Sequence, residues 1–198
     1  MQLTRADGRR REVSWSDPAP AAAAAMRLDG LAFLHAIADG ELPAPPVAAL
    51  LGMRLVAVEP GRVTFAMDVG EHLYNPLGSV HGGVFSALLD SALACAVHSL
   101  LPSGVGYTTV DLTVHLVKRL TAHTPAVEAV GEVVSLGSRV ATATGRITAP
   151  DGSPYAHATA TCLLLHSPAP PGPGVTSAIP AIGSERLVAA NAEDGHAR

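Results

Sequence analysis

The chain has few of the residues that mark several specialised classes of protein. Of its 198 residues only 4% are aromatic and 15% are charged, and there are two cysteines. Cys95 and Cys162 cannot form a disulfide framework, so we expect small buried residues in a reducing compartment. No apolar run reaches the roughly 18 residues of a membrane span, which predicts no membrane partner. A cytoplasmic location is the simplest interpretation.

Charge and motif content argue against further classes. A net charge of −4 and a pI near 6.1 give no sign of nucleic-acid binding. The nine histidines form no helical pair near an acid and no cluster with cysteine, so no metal site is predicted. A Gly-x-Ser-x-Gly motif is absent, which leaves a serine-hydrolase triad without support. The hydrophobic residues, 48% of the chain, can supply the core of one domain with tails.

Composition divides the chain into four segments. Residues 1–25 mix charge, proline and alanine without period and are predicted to be disordered. Residues 26–49 are predicted to contain a short amphipathic helix at residues 27–38 and a proline-rich connector. This helix is interpreted either as a lid over one edge of the domain or as the wall of a substrate pocket. Residues 50–166 form the folded domain, and residues 167–198 are expected to be a flexible tail.

The folded domain combines strands of period two with one apolar helix. The helix is predicted to run from residue 82 to about residue 100. The predicted strands cover residues 53–59, 62–69, 106–119, 127–136, 139–149 and 155–166. One helix between a hairpin and four successive strands predicts an α+β fold, in which a bent antiparallel sheet wraps around one long central helix.

The longest strand has two different faces. Its even-numbered positions are mostly apolar and are predicted to face the helix: Thr108, Val110, Leu112, Val114 and Leu116. Its odd-numbered positions are polar and would be solvated in an ordinary sheet: Tyr107, Thr109, Asp111, Thr113 and His115.

Asp90 is a lone carboxylate in the middle of the apolar helix. Such a group is costly unless it is hydrogen-bonded or has a chemical task. Small side chains lie beside it at helical spacing: Ser86, Ala87, Ser91 and Ala94. A substrate could therefore approach the carboxylate closely.

The start of the helix offers a second functional group. The first N–H groups of a helix have no intrahelical acceptor and can bind a polarised oxygen, and Gly82 and Gly83 are expected to leave them bare. Asp90 lies eight residues beyond Gly82, which is roughly 12 Å along a helix axis. One substrate carbon cannot touch both groups of one chain. If they act together, two chains must pair with their helices antiparallel, which predicts a homodimer.

These residues resemble the motifs of a known family. Asn75, the His-Gly-Gly triplet at residues 81–83, Asp90 and the Thr-Thr-Val-Asp-Leu segment at residues 108–112 are similar to those of PaaI-like hotdog-fold acyl-CoA thioesterases, named for phenylacetate degradation. The resemblance covers about residues 50–166 and implies a hotdog fold. It also implies that an acyl-CoA is the substrate, with coenzyme A as part of the substrate and no separate cofactor.

The resemblance further implies a role for each matching residue. Asp90 would serve as general base or nucleophile, and Gly82 would donate its N–H to the thioester carbonyl, with Gly83 as a second donor. Asn75 would position the water or the thioester. His81 would shape the oxyanion loop, and the hydroxyl of Thr109 would help to place the water. The expected assembly is a homodimer, or a dimer of dimers.

Several alternatives remain open from the sequence. Lys118, Arg119, Ser138 and Arg139 would either contact the phosphates of coenzyme A or be solvated strand ends. A non-catalytic acyl-CoA sensor and an enoyl-CoA hydratase or dehydratase are the rival functions. The identity of the acyl group does not follow from the sequence.

Overall fold

Six strands form one antiparallel sheet in the order β1-β2-β4-β5-β6-β3. The computed structural model describes residues 8–124 and 126–166. The strands are β1 (Met53–Glu59), β2 (Arg62–Asp68), β3 (Val105–Leu116), β4 (Ala126–Leu136), β5 (Val140–Thr148) and β6 (Pro154–His166). The helices are α1 (Ala19–Ala25), α2 (Gly30–Ala38), α3 (Pro46–Leu51) and α4 (Gly82–His98), with a short 3-10 turn at Glu71–Leu73. All six predicted strands and the predicted central helix are present.

Helix α4 contacts all six strands, so the sheet is wrapped around it. Its large apolar side chains fill the core and are at most 3% exposed: Phe85, Leu88, Leu89, Leu93 and Val97. Gly131 in β4 allows the helix to approach the sheet, because a Cβ atom there would lie 2.3 Å from the backbone oxygen of Ala92. The predicted α+β architecture, a sheet around one central helix, is confirmed.

Strand β3 is an edge strand whose alternation is interrupted by a β-bulge. It pairs with β6 alone, and the register shifts between Thr109 and Asp111. The partly buried positions of the strand change parity at this shift: Tyr107 and Thr109 before it, Leu112 and Val114 after it. The prediction that even-numbered residues face α4 is therefore wrong for Thr108 and Val110, which are exposed, because the extra residue of the bulge moves the alternation by one.

The N-terminal segment also differs from the prediction. Residues 1–25 were expected to be disordered, but residues 19–25 form α1, and Ala24 is buried. Prolines at positions 18 and 20 suit the first turn of a helix, and the following alanines have the highest helix propensity. Helix α3 was not predicted either; it begins at Pro46 in the expected connector and ends at Leu51, with Gly52 as its C-cap at a φ of +76°. Residues 167–198, the predicted flexible tail, lie outside the described residues.

Helix α2 is fixed directly on the end of α4. It begins three residues later than predicted because Asp29 is its N-cap, with Oδ1 accepting the N–H of Ala32 at 2.8 Å. The N–H of Gly30 donates to the carbonyl of Leu101 at 2.9 Å. A Cβ atom on Gly30 would lie 1.7 Å from the carbonyl oxygen of His98, so no larger residue fits there. Within the described ranges, the helices are all too short or too polar to span a membrane.

Candidate active site

Asn75 organises the loop that leads to α4. Its Oδ1 accepts the backbone N–H of Leu77 at 2.9 Å and that of Ser79 at 3.4 Å. Its backbone N–H donates to the carbonyl of Ser79 at 2.8 Å, and its side-chain nitrogen lies 3.4 Å from the Ser79 hydroxyl. The side-chain oxygen is thus committed to an Asx turn that holds the loop. Only the amide nitrogen is available to a ligand.

His81 caps the N-terminus of α4. Its Nδ1 accepts the N–H of Gly83 at 2.9 Å, which requires a neutral ring with its proton on Nε2. The expectation that the helix end is bare is therefore wrong for Gly83, whose N–H is already bonded. Among the described residues the N–H of Gly82 has no acceptor. One N–H group, that of Gly82, is free to bind an oxygen here.

A small cavity of about 230 Å³ opens beside this helix end. It is lined by Asn75 and Gly82 from the loop and by Lys118 and Arg119 from the segment after β3. The ammonium group of Lys118 lies 5.0 Å from the centre of the Tyr155 ring. The structure therefore brings together four of the residues that the sequence singled out.

Asp90, at the midpoint of α4, meets Thr109 of β3. The hydroxyl of Thr109 donates to Oδ1 of Asp90 at 2.8 Å, and both residues are partly buried. The bulge in β3 is the reason that Thr109 faces the helix. No ion-pair partner for Asp90 exists among the described residues. The carboxylate is thus held by a neutral donor and is not part of a structural salt bridge.

The two clusters are well separated within one chain. Gly82 and Asp90 are eight residues apart on one straight element, or about 12 Å along the axis. A thioester carbonyl on Gly82 is therefore out of reach of the carboxylate of the same chain.

Ser138 and Arg139 lie far from Lys118 and Arg119. Their carbonyls accept hydrogen bonds from His166 and Leu164, at the end of β6. The backbone N–H of Lys118 donates to the carbonyl of Tyr155, which lies on β6 nine residues before Leu164. At about 3.3 Å per residue, the two ends of β6 that carry Arg139 and Lys118 are about 30 Å apart. Ser138 and Arg139 therefore do not share a phosphate site with Lys118 and Arg119 of the same chain.

Three further polar groups, Cys95, Tyr107 and Cys162, lie close to Asp90, and the sequence interpretation did not place them there. Burial raises the pKa of the Cys95 thiol to about 12 and, with Cys95 nearby, raises the pKa of Tyr107 well above its usual range. The two side chains lie close to each other. Burial also raises the pKa of Cys162. All three groups are neutral at ordinary pH, which excludes a thiolate nucleophile here.

A larger cavity of about 560 Å³ adjoins Cys95 and Tyr107. The N-terminal helices and residues 43–45 form one wall, for example with Phe33, Leu34 and Ile37, and β1, β2, the end of α4 and Tyr107 of β3 form the rest. His98 also lines it, between the rings of Phe33 at 5.3 Å and Tyr107 at 5.1 Å. Burial lowers the pKa of His98, so that the ring is neutral. No group of three or more possible metal ligands is found in the part of the chain that the structure describes.

The cluster of Cys95, His98 and Tyr107 left only a weak signal in the sequence. A tyrosine on the inward face of a strand and a cysteine and a histidine late in an apolar helix look like ordinary core residues. What distinguishes them is a shared cavity, which depends on α1 to α3. Those helices were the least well predicted part of the chain.

Fold and site together define a hotdog protein with an acidic residue in its central helix. A thioesterase family protein from Silicibacter pomeroyi is 30% identical, over 68% of this chain and 99% of its own, with a TM-score of 0.60. A phenylacetic acid degradation-related protein from Ralstonia eutropha JMP134 is 29% identical, over 66% and 98%, with a TM-score of 0.60. The phenylacetic acid degradation protein PaaI from Thermus thermophilus is 28% identical, over 60% and 98%, with a TM-score of 0.55.

Sequence comparison agrees with these structures. The profile of the thioesterase superfamily matches residues 77–156, which include α4 and most of the sheet. No curated protein matches the sequence significantly. The chain belongs to the thioesterase superfamily, and it is a thioesterase with the PaaI-like hotdog fold. The predicted family resemblance and the predicted enzyme class are confirmed.

Proposed function

We propose that the protein hydrolyses acyl-CoA thioesters to the free acid and coenzyme A. The hydrogen bond from Thr109 to Asp90 supports this proposal most directly. A carboxylate held by a hydroxyl in the centre of an apolar helix is costly without a task, and none of the described residues forms an ion pair with it. It is oriented as a general base or nucleophile needs to be.

The site is proposed to lie between two subunits. Gly82 supplies the free N–H and Asp90 the carboxylate, but within one chain they are about 12 Å apart. Strand β3 is a long edge strand with unpaired backbone groups on its free side, and Val110 and Leu116 on it are 58% and 56% exposed. Pairing of two such edges would bring α4 of each subunit alongside the other, antiparallel. Asp90 of one chain would then face Gly82 of the partner subunit.

The proposed reaction balances without any further reagent. Asp90 takes a proton from water as the water oxygen attacks the thioester carbonyl carbon. The negative charge on the carbonyl oxygen is stabilised by the N–H of Gly82. The tetrahedral intermediate then breaks its C–S bond, and the sulfur leaves with the proton that Asp90 returns. Direct attack by Asp90, followed by hydrolysis of the resulting anhydride, gives the same products.

The small cavity is proposed to hold a phosphate-bearing part of coenzyme A. Lys118 and Arg119 lie on its rim, beside Gly82, and both are suited to bind phosphate. No separate cofactor is required. The free thiols of Cys95 and Cys162 fit the reducing cytoplasm, which we propose as the location.

The test is release of free thiol from a panel of short, medium, long and aryl acyl-CoA esters. We expect wild type to release thiol and Asp90→Asn to be folded but at least 100-fold slower, as is usual when a general base is lost. Asp39→Asn, an exposed aspartate just after α2 and away from β3, serves as the matched control and should keep wild-type activity. Wild-type turnover by Asp90→Asn would show that Asp90 is not the base. Tight binding of the esters without any turnover would identify a sensor instead.

A further inference from the structure

We propose that the larger cavity receives the acyl group of the substrate, and that the N-terminal helices α1 and α2 set its length. The preferred group is an unbranched acyl chain of about ten to fourteen carbons. This inference rests on the proposed hydrolysis of acyl-CoA esters and names the part of the ester that the site selects.

The cavity lies within reach of a thioester bound at Asp90. Tyr107 lines the cavity, and Thr109, which bonds Asp90, is two residues further on the same face of β3, a distance of about 7 Å. Cys95 also lines the cavity and lies close to Tyr107. The negative charge of Asp90 acts on both side chains and contributes to their raised pKa values. An acyl chain that extends from the carbonyl carbon in the direction opposite to coenzyme A can therefore enter this cavity.

The walls are suited to an uncharged alkyl chain. Most of the lining is apolar, with Phe33, Leu34 and Ile37 on the N-terminal wall. The one guanidinium in the lining, that of Arg54, is paired with Asp68 at 2.7 and 3.2 Å. No charged group is left to receive a polar end on the acyl chain, because His98 is neutral as well.

The volume of the cavity indicates a chain of intermediate length. A methylene group is about as large as a water molecule, roughly 30 Å³, so 560 Å³ holds at most about 18 carbons at liquid density. Acetyl, butyryl and phenylacetyl groups would leave most of the space empty. Each methylene that becomes fully buried strengthens binding about fourfold. A chain of ten to fourteen carbons would occupy about 300 to 420 Å³ by the same measure, which is more than half of the cavity.

The N-terminal wall is fixed in place before substrate binds. The backbone of Gly30 is bonded to Leu101 and in direct contact with His98, so α2 cannot slide along α4. Arg11 donates to the carbonyl of Leu50 at 2.9 Å, which ties the start of the segment to α3. A preformed wall can discriminate between chain lengths, whereas a mobile one would adapt to them.

The test compares thiol release from acetyl-, butyryl-, octanoyl-, lauroyl- and phenylacetyl-CoA by wild type, Ile37→Trp and His35→Trp. Ile37 lies on the cavity side of α2 and His35 on the exposed side of the same helix. We expect kcat/KM of wild type to be at least tenfold higher for lauroyl- than for butyryl-CoA. Ile37→Trp should lose that preference and keep butyryl-CoA turnover, and His35→Trp should behave as wild type. A wild-type preference for acetyl or phenylacetyl, or an equal loss for all esters in Ile37→Trp, would overturn the inference.

A binding measurement separates this inference from the proposed function. Calorimetric titration with laurate, butyrate and phenylacetate requires no turnover. Laurate binding that is weakened at least tenfold by Ile37→Trp, and not by His35→Trp, supports the cavity assignment even if no ester is hydrolysed. Failure of wild type to bind laurate more tightly than butyrate would overturn the assignment, whether or not esters are hydrolysed.

Discussion

At the scale of single residues, the site depends on an inward threonine and a carboxylate 19 residues apart in sequence. Thr109 reaches Asp90 because the bulge in β3 turns it toward α4, while its neighbour Thr108 remains exposed. The hydroxyl fixes Oδ1 of the carboxylate. No hydrogen bond to Oδ2 is formed by the described residues, so this oxygen is the one that the proposed reaction would use.

The burial of His98 leads us to predict how the free energy of unfolding depends on pH. The residue is 6% exposed, and burial lowers its pKa below the usual value of about 6.5. Below that pH the unfolded chain binds a proton that the folded chain does not, so the free energy of unfolding falls as pH falls. The slope is about 1.4 kcal/mol per pH unit where the two states differ by one proton. Urea unfolding of wild type from pH 7.5 to 5 should show this loss, and His98→Phe should lose less.

A control is available on a neighbouring helix. His35→Phe replaces an exposed histidine of α2 and should keep the wild-type dependence on pH. Phenylalanine at position 98 retains the packing against Phe33 and Tyr107 but cannot take up a proton. Parallel curves for wild type and His98→Phe would show that burial of this ring does not govern the acid sensitivity.

At the scale of elements, the N-terminus of α4 allows one N–H to be deleted cleanly. Gly82 is the first helical residue, a position that favours proline, and His81 before it has φ −64° and ψ 137°, which proline also allows. Gly82→Pro should therefore fold normally while removing the proposed oxyanion donor. We expect thiol release to fall about 100- to 1000-fold, as when other enzymes lose one such donor.

Gly82→Ala is the matched control for this variant. Its Cβ atom would lie 3.3 Å from the end of the flexible Leu116 side chain, a contact that a small rotation relieves, and the N–H is kept. It should retain activity within a few-fold of wild type. If the proline and alanine variants were equally active, the N–H of Gly82 would have no part in the reaction.

The elements also show what the sequence could and could not predict. Strand and helix periods come from local patterns, so α4 and all six strands were predicted with small errors at their ends. The bulge in β3 was not, because it depends on how the strand pairs with β6. Helix α1 was missed since an alanine run flanked by prolines reads as disorder until its contacts with the rest of the fold are known.

At the scale of the whole molecule, the candidate site was only partly predictable for a related reason. Asp90 and Gly82 were identified because each is chemically unusual where it stands. The hydrogen bond from the Gly83 N–H to His81 was not predicted, because it depends on the rotamer of the His81 side chain. The larger cavity combines side chains from α2, α4, β1, β2 and β3, and no local pattern marks such a set.

The proposed site between two subunits makes a prediction that only an assembly of two chains can satisfy. Homodimers of Asp90→Asn and of Gly82→Pro should each be nearly inactive, because both of their sites lack one group. A heterodimer of the two variants has one site with both groups intact and one site with neither. Because a twofold dimer has two equivalent sites, the purified heterodimer, isolated with two different affinity tags, should recover about half of the wild-type activity per dimer. Recovery requires that Gly82 of one subunit serves Asp90 of the other. A heterodimer as inactive as its parents would show that Gly82 and Asp90 act within one chain. The separation of about 12 Å along α4 argues against that outcome.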